Sequence, residues 1–125
     1  MAGARYLARL SAACADTRLS SPFCHHQGVA DESFTEVGSD NGVAVSLFRP
    51  KALRDDSIQQ RKPNARALPA KLLAEAMVVD ALGRGRGLSE GEKVQRIVRH
   101  EDVPAVVGKK PPWEAVAWPS RDSEL

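Results

Sequence analysis

Residues 68–101 run LPAKLLAEAMVVDALGRGRGLSEGEKVQRIVRHE, and they carry the strongest local patterns in the chain. Pro69 suits the first turn of a helix, where its missing N–H costs no hydrogen bond. Residues 70–82 have high helix propensity, and Gly83 is a typical residue just beyond a helix end. The stretch therefore predicts a helix over about 69–82. Because only three of its residues are charged, we expect it to be buried or to lie against a partner.

The second half of this stretch predicts another short helix. Ser89 and Glu92 match the S-x-x-E capping box, in which each side chain bonds the backbone N–H of the other residue. The residues that follow supply an apolar stripe at helical spacing, made of Val94, Ile97 and Val98. We therefore expect a helix over about 90–101. A glycine-rich loop would join it to the first helix in a helix-turn-helix-like pair.

A β-hairpin is expected upstream, over about 33–49. Asp40-Asn41-Gly42 supplies its turn, because Asn-Gly is the strongest short hairpin pattern. Apolar residues alternate after the turn, as they do in a half-buried strand. A lone hairpin is marginal in water, so this one should pack against the helix pair.

The composition predicts a small and partly disordered α+β protein. Leu, Ile, Val and Phe make up 28 of 125 residues, just above the level at which a charged chain is typically disordered. We expect one small domain over 31–118, containing a polar linker over 50–67. Residues 119–125 are expected to form a disordered tail.

Residues 1–30 are expected to form a flexible or targeting segment. An amphipathic helix over 2–15, rich in arginine and free of acidic residues, is typical of a mitochondrial transit peptide. The alternative is an ordinary alanine-rich helix. Two cysteines, Cys14 and Cys24, are too few for a disulfide framework, so the reducing interior of a cell is the default compartment. We expect a cytoplasmic protein, alternatively a mitochondrial one, with no membrane insertion.

No motif for catalysis, cofactor binding or metal binding is complete. Residues 87–91 spell the G-x-S-x-G nucleophile elbow, but the later His100 falls on the same short predicted helix as the serine. The glycines of this region fail the dinucleotide and Walker A patterns at the residues that contact phosphate. Cys24-His25-His26 lacks the paired spacing of a zinc site. We therefore expect a non-enzymatic protein without a cofactor or a metal.

Positive charge is concentrated around the predicted helix pair. Residues 61–110 carry a net charge of +5, whereas residues 31–60 and 111–125 carry −3 and −2. The candidate nucleic-acid or anion contacts are Arg84, Arg86, Lys93, Arg96, Arg99, Lys109 and Lys110. Acidic residues within this patch and the lack of an aromatic for base stacking weigh against nucleic acid.

The C-terminal region contributes two tryptophans, Trp113 and Trp118, as candidate partner contacts. The leading hypothesis is a small interaction protein that binds a protein partner through the apolar helix and these tryptophans. An alternative is a nucleic-acid or ribonucleoprotein accessory protein that uses the basic surface over 84–110. A further alternative is a chain without a selected function, because GC-rich coding alone produces an excess of Ala, Gly, Arg and Pro.

Overall fold

The computed structural model describes residues 5–55 and 66–114, which form a mixed α+β fold. In chain order the elements are β1 (Tyr6–Leu10), α1 (Pro22–Asn41), β2 (Ala44–Arg49), β3 (Leu53–Arg54), β4 (Leu68–Pro69), α2 (Ala70–Arg84), β5 (Gln95–Arg99) and α3 (Val103–Val106). Short 3₁₀ turns span His100–Asp102 and Pro112–Glu114. The expected small α+β class is confirmed. The first of the two predicted helices, expected over about 69–82, is also confirmed and corresponds to α2.

The main sheet has three parallel strands in the order β1-β2-β5. Leu10 is the partner of Phe48 across the first pair, and Phe48 is the partner of Val98 across the second. Parallel strands are normally covered on both faces, which explains why every residue of β2 except its last is buried. A second, minimal parallel pair joins β3 to β4.

The two long helices cover opposite faces of the main sheet. Phe48 packs in the core beneath α2, whereas Val45 on the other face meets Gly38 of α1. Because β1, β2 and β5 follow one another across the sheet, two right-handed crossovers would place both helices on the same face. One crossover is therefore left-handed. The loops that leave β1 and β2 consequently turn to opposite faces of the sheet.

The larger core lies between the sheet, α2 and α3. Its buried members are Phe48, Leu68, Leu72, Leu73, Ala76, Val98 and Val103. Ala8, Met77, Val106, Val107 and Trp113 pack against them and are partly exposed. Most of these residues come from the strands and from α2, so the inner face of α2 is held by apolar burial.

The expected hairpin over 33–49 is wrong, because residues 33–41 belong to α1 and only the second predicted strand exists, as β2. Gly42 has φ of 64° and ψ of 33°, and its N–H donates to the Gly38 carbonyl oxygen. A left-handed glycine ends a helix as well as it makes a hairpin turn. The Asn-Gly pattern therefore located a reversal of the chain correctly but assigned it to the wrong element.

The expected helix over 90–101 is also wrong, because residues 95–99 form β5. The Ser89 N–H donates to Glu92 Oε2 at 2.9 Å, which is one half of the predicted capping box. No helix follows it, since the backbone instead pairs with β2, beginning where the Val45 N–H donates to the Val94 carbonyl oxygen at 2.8 Å. A short apolar run is compatible with the residue spacing of a helix and with that of a strand. Pairing with β2 decides in favour of the strand.

Residues 5–30, expected to be a flexible or targeting segment, form β1, a loop and the first part of α1. Cys14 and Cys24 form a disulfide that links this loop to the first turn of α1, with their Cα atoms 5.3 Å apart. Of the expected linker over 50–67, residues 56–65 lie outside the described part of the chain, as does the expected tail over 119–125. No helix among the described residues is long and apolar enough to cross a membrane.

Candidate interaction surface

The outer face of α2 exposes three large aliphatic side chains. Val78, Val79 and Leu82 have exposed fractions of 59%, 43% and 70%. Positions 78, 79 and 82 are one, three and four residues apart, so the side chains lie next to one another on one side of the helix. They form a short apolar ridge, and we call these three residues the α2 ridge.

A groove runs between the α2 ridge and the segment that follows α3. Its cavity of about 510 Å³ is bounded on the helix side by Ala74, Val78 and Val79. Val107 forms the opposite wall, and the segment is held there because the Lys109 N–H donates to the Pro104 carbonyl oxygen at 3.0 Å. The groove is therefore apolar on both walls and open to solvent.

Charged side chains mark the rim of this groove. Lys109 Nζ lies 2.9 Å from Glu75 Oε2, and this contact holds the pKa of the Glu75 carboxyl below its ordinary value. Both side chains are well exposed, so the pair contributes little to stability. Lys71 also lines the groove and forms no ion pair with any described residue.

A buried charged network fixes the orientation of α2. The Asp80 carboxylate accepts a hydrogen bond from the Tyr6 hydroxyl at 2.5 Å and one from Arg96 Nη1 at 2.6 Å. These bonds tie the inner face of α2 to β1 and β5. The α2 ridge lies on the opposite side of the helix from Asp80, so these bonds keep the ridge facing solvent.

Arg84, a predicted phosphate contact, lies buried between α2 and the sheet. Its guanidinium donates to the Val45 carbonyl and the Ser46 hydroxyl, each at 2.8 Å. It also donates to the carbonyls of Lys93 and Val94, and to Glu92 Oε1 at 3.2 Å. All five N–H donors of the side chain are therefore used within the protein. No donor is left for a phosphate.

The other predicted cationic contacts do not form one patch. Lys93 precedes β5 and Arg99 ends it, which separates them by about 20 Å along the strand. Arg96 is bound to Asp80, and Lys109 to Glu75. Arg86 and Lys110 are exposed, in the loop after α2 and near the C-terminal end of the described chain.

Only one of the two predicted tryptophan contacts lies in the described part of the chain. Trp113 is partly buried, packs against the larger core and stacks on His100, with ring centroids 5.2 Å apart. Trp118 lies outside the described residues. The exposed apolar residues lie instead on α2, the helix that the sequence predicted to be buried or to contact a partner, although the sequence did not single out Val78, Val79 and Leu82.

Two of the three histidines, His25 and His100, form structural hydrogen bonds. His100 is buried; its Nδ1 accepts the Lys51 N–H at 2.9 Å, and its Nε2 lies 2.8 Å from the Arg66 carbonyl oxygen. This arrangement requires a neutral ring with its proton on Nε2. His25 Nδ1 lies 2.8 Å from the Thr17 carbonyl oxygen. Within residues 5–55 and 66–114, no group of three or more potential ligands is placed to hold a metal ion.

Comparisons with known proteins give this chain no relatives. No protein-family model, no curated protein and no solved structure matches it.

Proposed function

We propose that this protein is a small, non-enzymatic interaction protein that binds an amphipathic helix of a partner protein along the α2 ridge. The observation that carries the proposal is the exposure of Val78, Val79 and Leu82 beside an apolar groove. Single exposed aliphatic residues are ordinary on protein surfaces, but a contiguous group beside a groove is typical of an interaction site.

The size of the ridge supports a modest affinity. Complete burial of one large aliphatic side chain contributes about 1.5–3 kcal/mol. Since the three side chains are roughly half exposed, covering them would contribute on the order of 3 kcal/mol. Binding also costs translational and side-chain freedom. We therefore expect a transient complex in which further contacts along the groove are needed.

The chemistry of the groove favours an amphipathic helix with an acidic edge. The walls formed by Ala74, Val78 and Val107 suit apolar side chains at positions i, i+3 and i+4 of such a helix. Lys71 at the rim is near Glu75 but forms no ion pair with a described residue, so its ammonium group is available to a carboxylate of the partner. Trp113 packs against the core and is not among the residues that line this groove.

Site-specific photocrosslinking of the full chain in cells tests the proposal. A photoreactive phenylalanine analogue replaces Val79, and the matched control carries it at Val29 of α1, which is also 43% exposed. We expect an adduct with a protein partner from position 79 only. The same adducts from both positions, or none from position 79, would contradict the proposal. A crosslink solely to a second copy of the chain would overturn the choice of partner.

Binding of the captured partner is then measured with purified proteins. The double variant Val79→Ser, Leu82→Ser should weaken binding by about thirtyfold, which corresponds to about 2 kcal/mol. The control Val29→Ser, Val37→Ser removes two similarly exposed valines and should leave affinity unchanged. Equal losses in both double variants would assign the effect to general surface polarity.

The nucleic-acid alternative stays a prediction with a reduced set of contacts. Arg84 is fully engaged, so the exposed candidates without an ion pair to a described residue are Arg86, Lys93, Arg99 and Lys110. Binding to RNA or duplex DNA should fall steeply as salt increases, and charge reversal of these four residues should abolish it. An absence of binding at low salt would exclude this alternative.

A further inference from the structure

Several cations meet at the carboxyl end of the main sheet. Arg49 and Arg99 are the last residues of β2 and β5, and they are direct partners across the two strands. Like charges placed opposite each other in a sheet repel, so the pair is unfavourable without a nearby anion. Ligands of parallel sheets bind at this edge, where the loops from neighbouring strands turn to opposite faces.

Arg49 is only partly neutralised. Its Nε and Nη2 atoms donate to Asp31 Oδ2 at 3.1 and 2.9 Å. The buried Asp31 carboxylate also accepts from Arg9 Nε at 3.0 Å and from the Ser11 hydroxyl at 2.7 Å. One carboxylate therefore serves two arginines. Arg49 is held rigidly, and its Nη1 atom forms no hydrogen bond with any described residue.

A small cavity at this edge of the sheet is lined mainly by charged side chains. It has a volume of about 140 Å³ and is lined by Ala13, Arg49, Lys51, Arg99, His100 and Glu101. Arg99 forms no ion pair within residues 5–55 and 66–114. Lys51 Nζ is 2.5 Å from Glu101 Oε1, which holds the pKa of the Glu101 carboxyl below its ordinary value. With the Glu101 carboxylate included, the cationic side chains of the lining still exceed the anionic ones by two.

We propose that this cavity binds the phosphate group of a small phosphate monoester, held by Arg49, Lys51 and Arg99. The volume equals that of four or five water molecules at about 30 Å³ each, which suits a tetrahedral oxyanion. Arginine is favoured at such sites because its planar donors match phosphate oxygens. This site lies at the carboxyl edge of the sheet, shares no lining residue with the groove beside α2, and does not depend on the interaction surface.

An adjoining cavity provides room for the rest of the molecule. It measures about 190 Å³, shares Lys51, His100 and Glu101 with the first cavity, and is completed by Ala52, Arg66 and Trp113. Both volumes are below the usual range of drug-sized ligand sites, so the monoester must be small. The body of the ligand would lie against the Trp113 ring, whose stacking on His100 holds it in place.

Titration of the full chain with inorganic phosphate, glycerol 3-phosphate and glycerol, followed by ¹⁵N NMR, tests this site. Phosphate should shift the Arg99 Nε–H signal, and sodium chloride at equal ionic strength should not. Glycerol 3-phosphate should in addition shift the Trp113 indole N–H signal, and glycerol should shift neither. A chloride response as large as the phosphate response would overturn the proposal. Binding of glycerol 3-phosphate without a Trp113 shift would overturn the role of the adjoining cavity.

Three single variants, each of which removes one positive charge, complete the test. Arg99→Ala should weaken phosphate binding by about tenfold or more, since a hydrogen bond to a charged group contributes that much. Arg86→Ala removes an exposed arginine from the loop after α2 and should have no effect. Lys51→Ala should also weaken binding without unfolding the chain, because its side chain is exposed. Equal effects of Arg99→Ala and Arg86→Ala would reduce the site to general electrostatic attraction.

Discussion

The Tyr6 hydroxyl donates a hydrogen bond of 2.5 Å to the Asp80 carboxylate, across 74 positions of sequence. Tyr6 lies on the edge strand β1 and Asp80 on the inner face of α2, so this single bond reports that sheet and helix have come together. Burial of the phenol, reinforced by the hydrogen bond to Asp80, raises the pKa of Tyr6 well above its ordinary value of about 10.

The raised pKa of Tyr6 predicts an alkaline limit to stability. Its pKa is higher in the folded state, so its contribution is fully present below about pH 10 and is lost as the pH rises beyond that value. Tyr6 is the only tyrosine of the chain, so absorbance at 295 nm reads its ionisation directly. We expect no phenolate signal until circular dichroism reports unfolding. Ionisation near pH 10 in the folded chain would contradict this expectation.

Arg84 is expected to be essential for folding, in contrast to Arg86. Arg84→Ala removes the guanidinium hydrogen bonds to the carbonyls of Val45, Lys93 and Val94 and should reduce the free energy of unfolding by about 3 kcal/mol or more. Arg86→Ala, an exposed site two residues away, should change it by less than about 0.5 kcal/mol. Urea melts of both variants measure the difference. Similar midpoints would show that the buried guanidinium is dispensable.

Two helical glycines should respond in opposite directions to alanine. A Cβ at Gly38 would lie 2.8 Å from the Val43 carbonyl oxygen and would collide with Val45, so Gly38→Ala should destabilise the protein by several kcal/mol. A Cβ at Gly83 meets nothing within 4 Å, so Gly83→Ala should stabilise it by about 0.5–1 kcal/mol. Thermal melts check both signs, and equal shifts would exclude the close approach of α1 to β2.

Reduction of the Cys14–Cys24 disulfide should lower stability without abolishing the fold. A loop of this length is expected to contribute roughly 2.5–3 kcal/mol by restricting the unfolded chain. The measurement is a urea melt with and without dithiothreitol. The double variant Cys14→Ser, Cys24→Ser serves as the control, since dithiothreitol should leave its midpoint unchanged. A wild-type midpoint that does not respond to the reductant would argue that the bond is not formed.

The predictable parts of the fold were those governed by local chemistry. α2 begins directly after Pro69 and covers the predicted residues of high helix propensity, but the predicted end at Gly83 is wrong, because the helix continues to Arg84 and its C-cap is Gly85. The sequence predicts a reversal of the chain at Asn41-Gly42, and Gly42 has the left-handed backbone that such a reversal uses. The helix it ends was missed because α1 has little amphipathic periodicity and contains Gly28 and Gly38. Those glycines are explained only by close contacts that the folded chain creates, of Gly28 with the backbone of Asp16 and Thr17 and of Gly38 with Val43 and Val45.

The parts that could not be predicted depend on pairing between distant segments. Residues 6–10 and 95–99 become strands because both flank β2, a partner that the residues themselves do not reveal. The same limit applies to the sites. Arg49 and Arg99 are fifty positions apart and become neighbours only through strand register. Arg84 and Arg86 each lie between two glycines in the sequence, yet one is buried and the other exposed.

The guanidinium of Arg84 also determines which end of α2 unfolds more easily. Helices ordinarily fray from their termini, where backbone groups lack partners. In α2 the last turn is clamped to β2 and to the backbone at the start of β5, whereas the N-cap position is Pro69, with no side-chain cap. Melting of this helix would therefore proceed from its amino end, and its carboxyl end would be released only when the sheet itself comes apart.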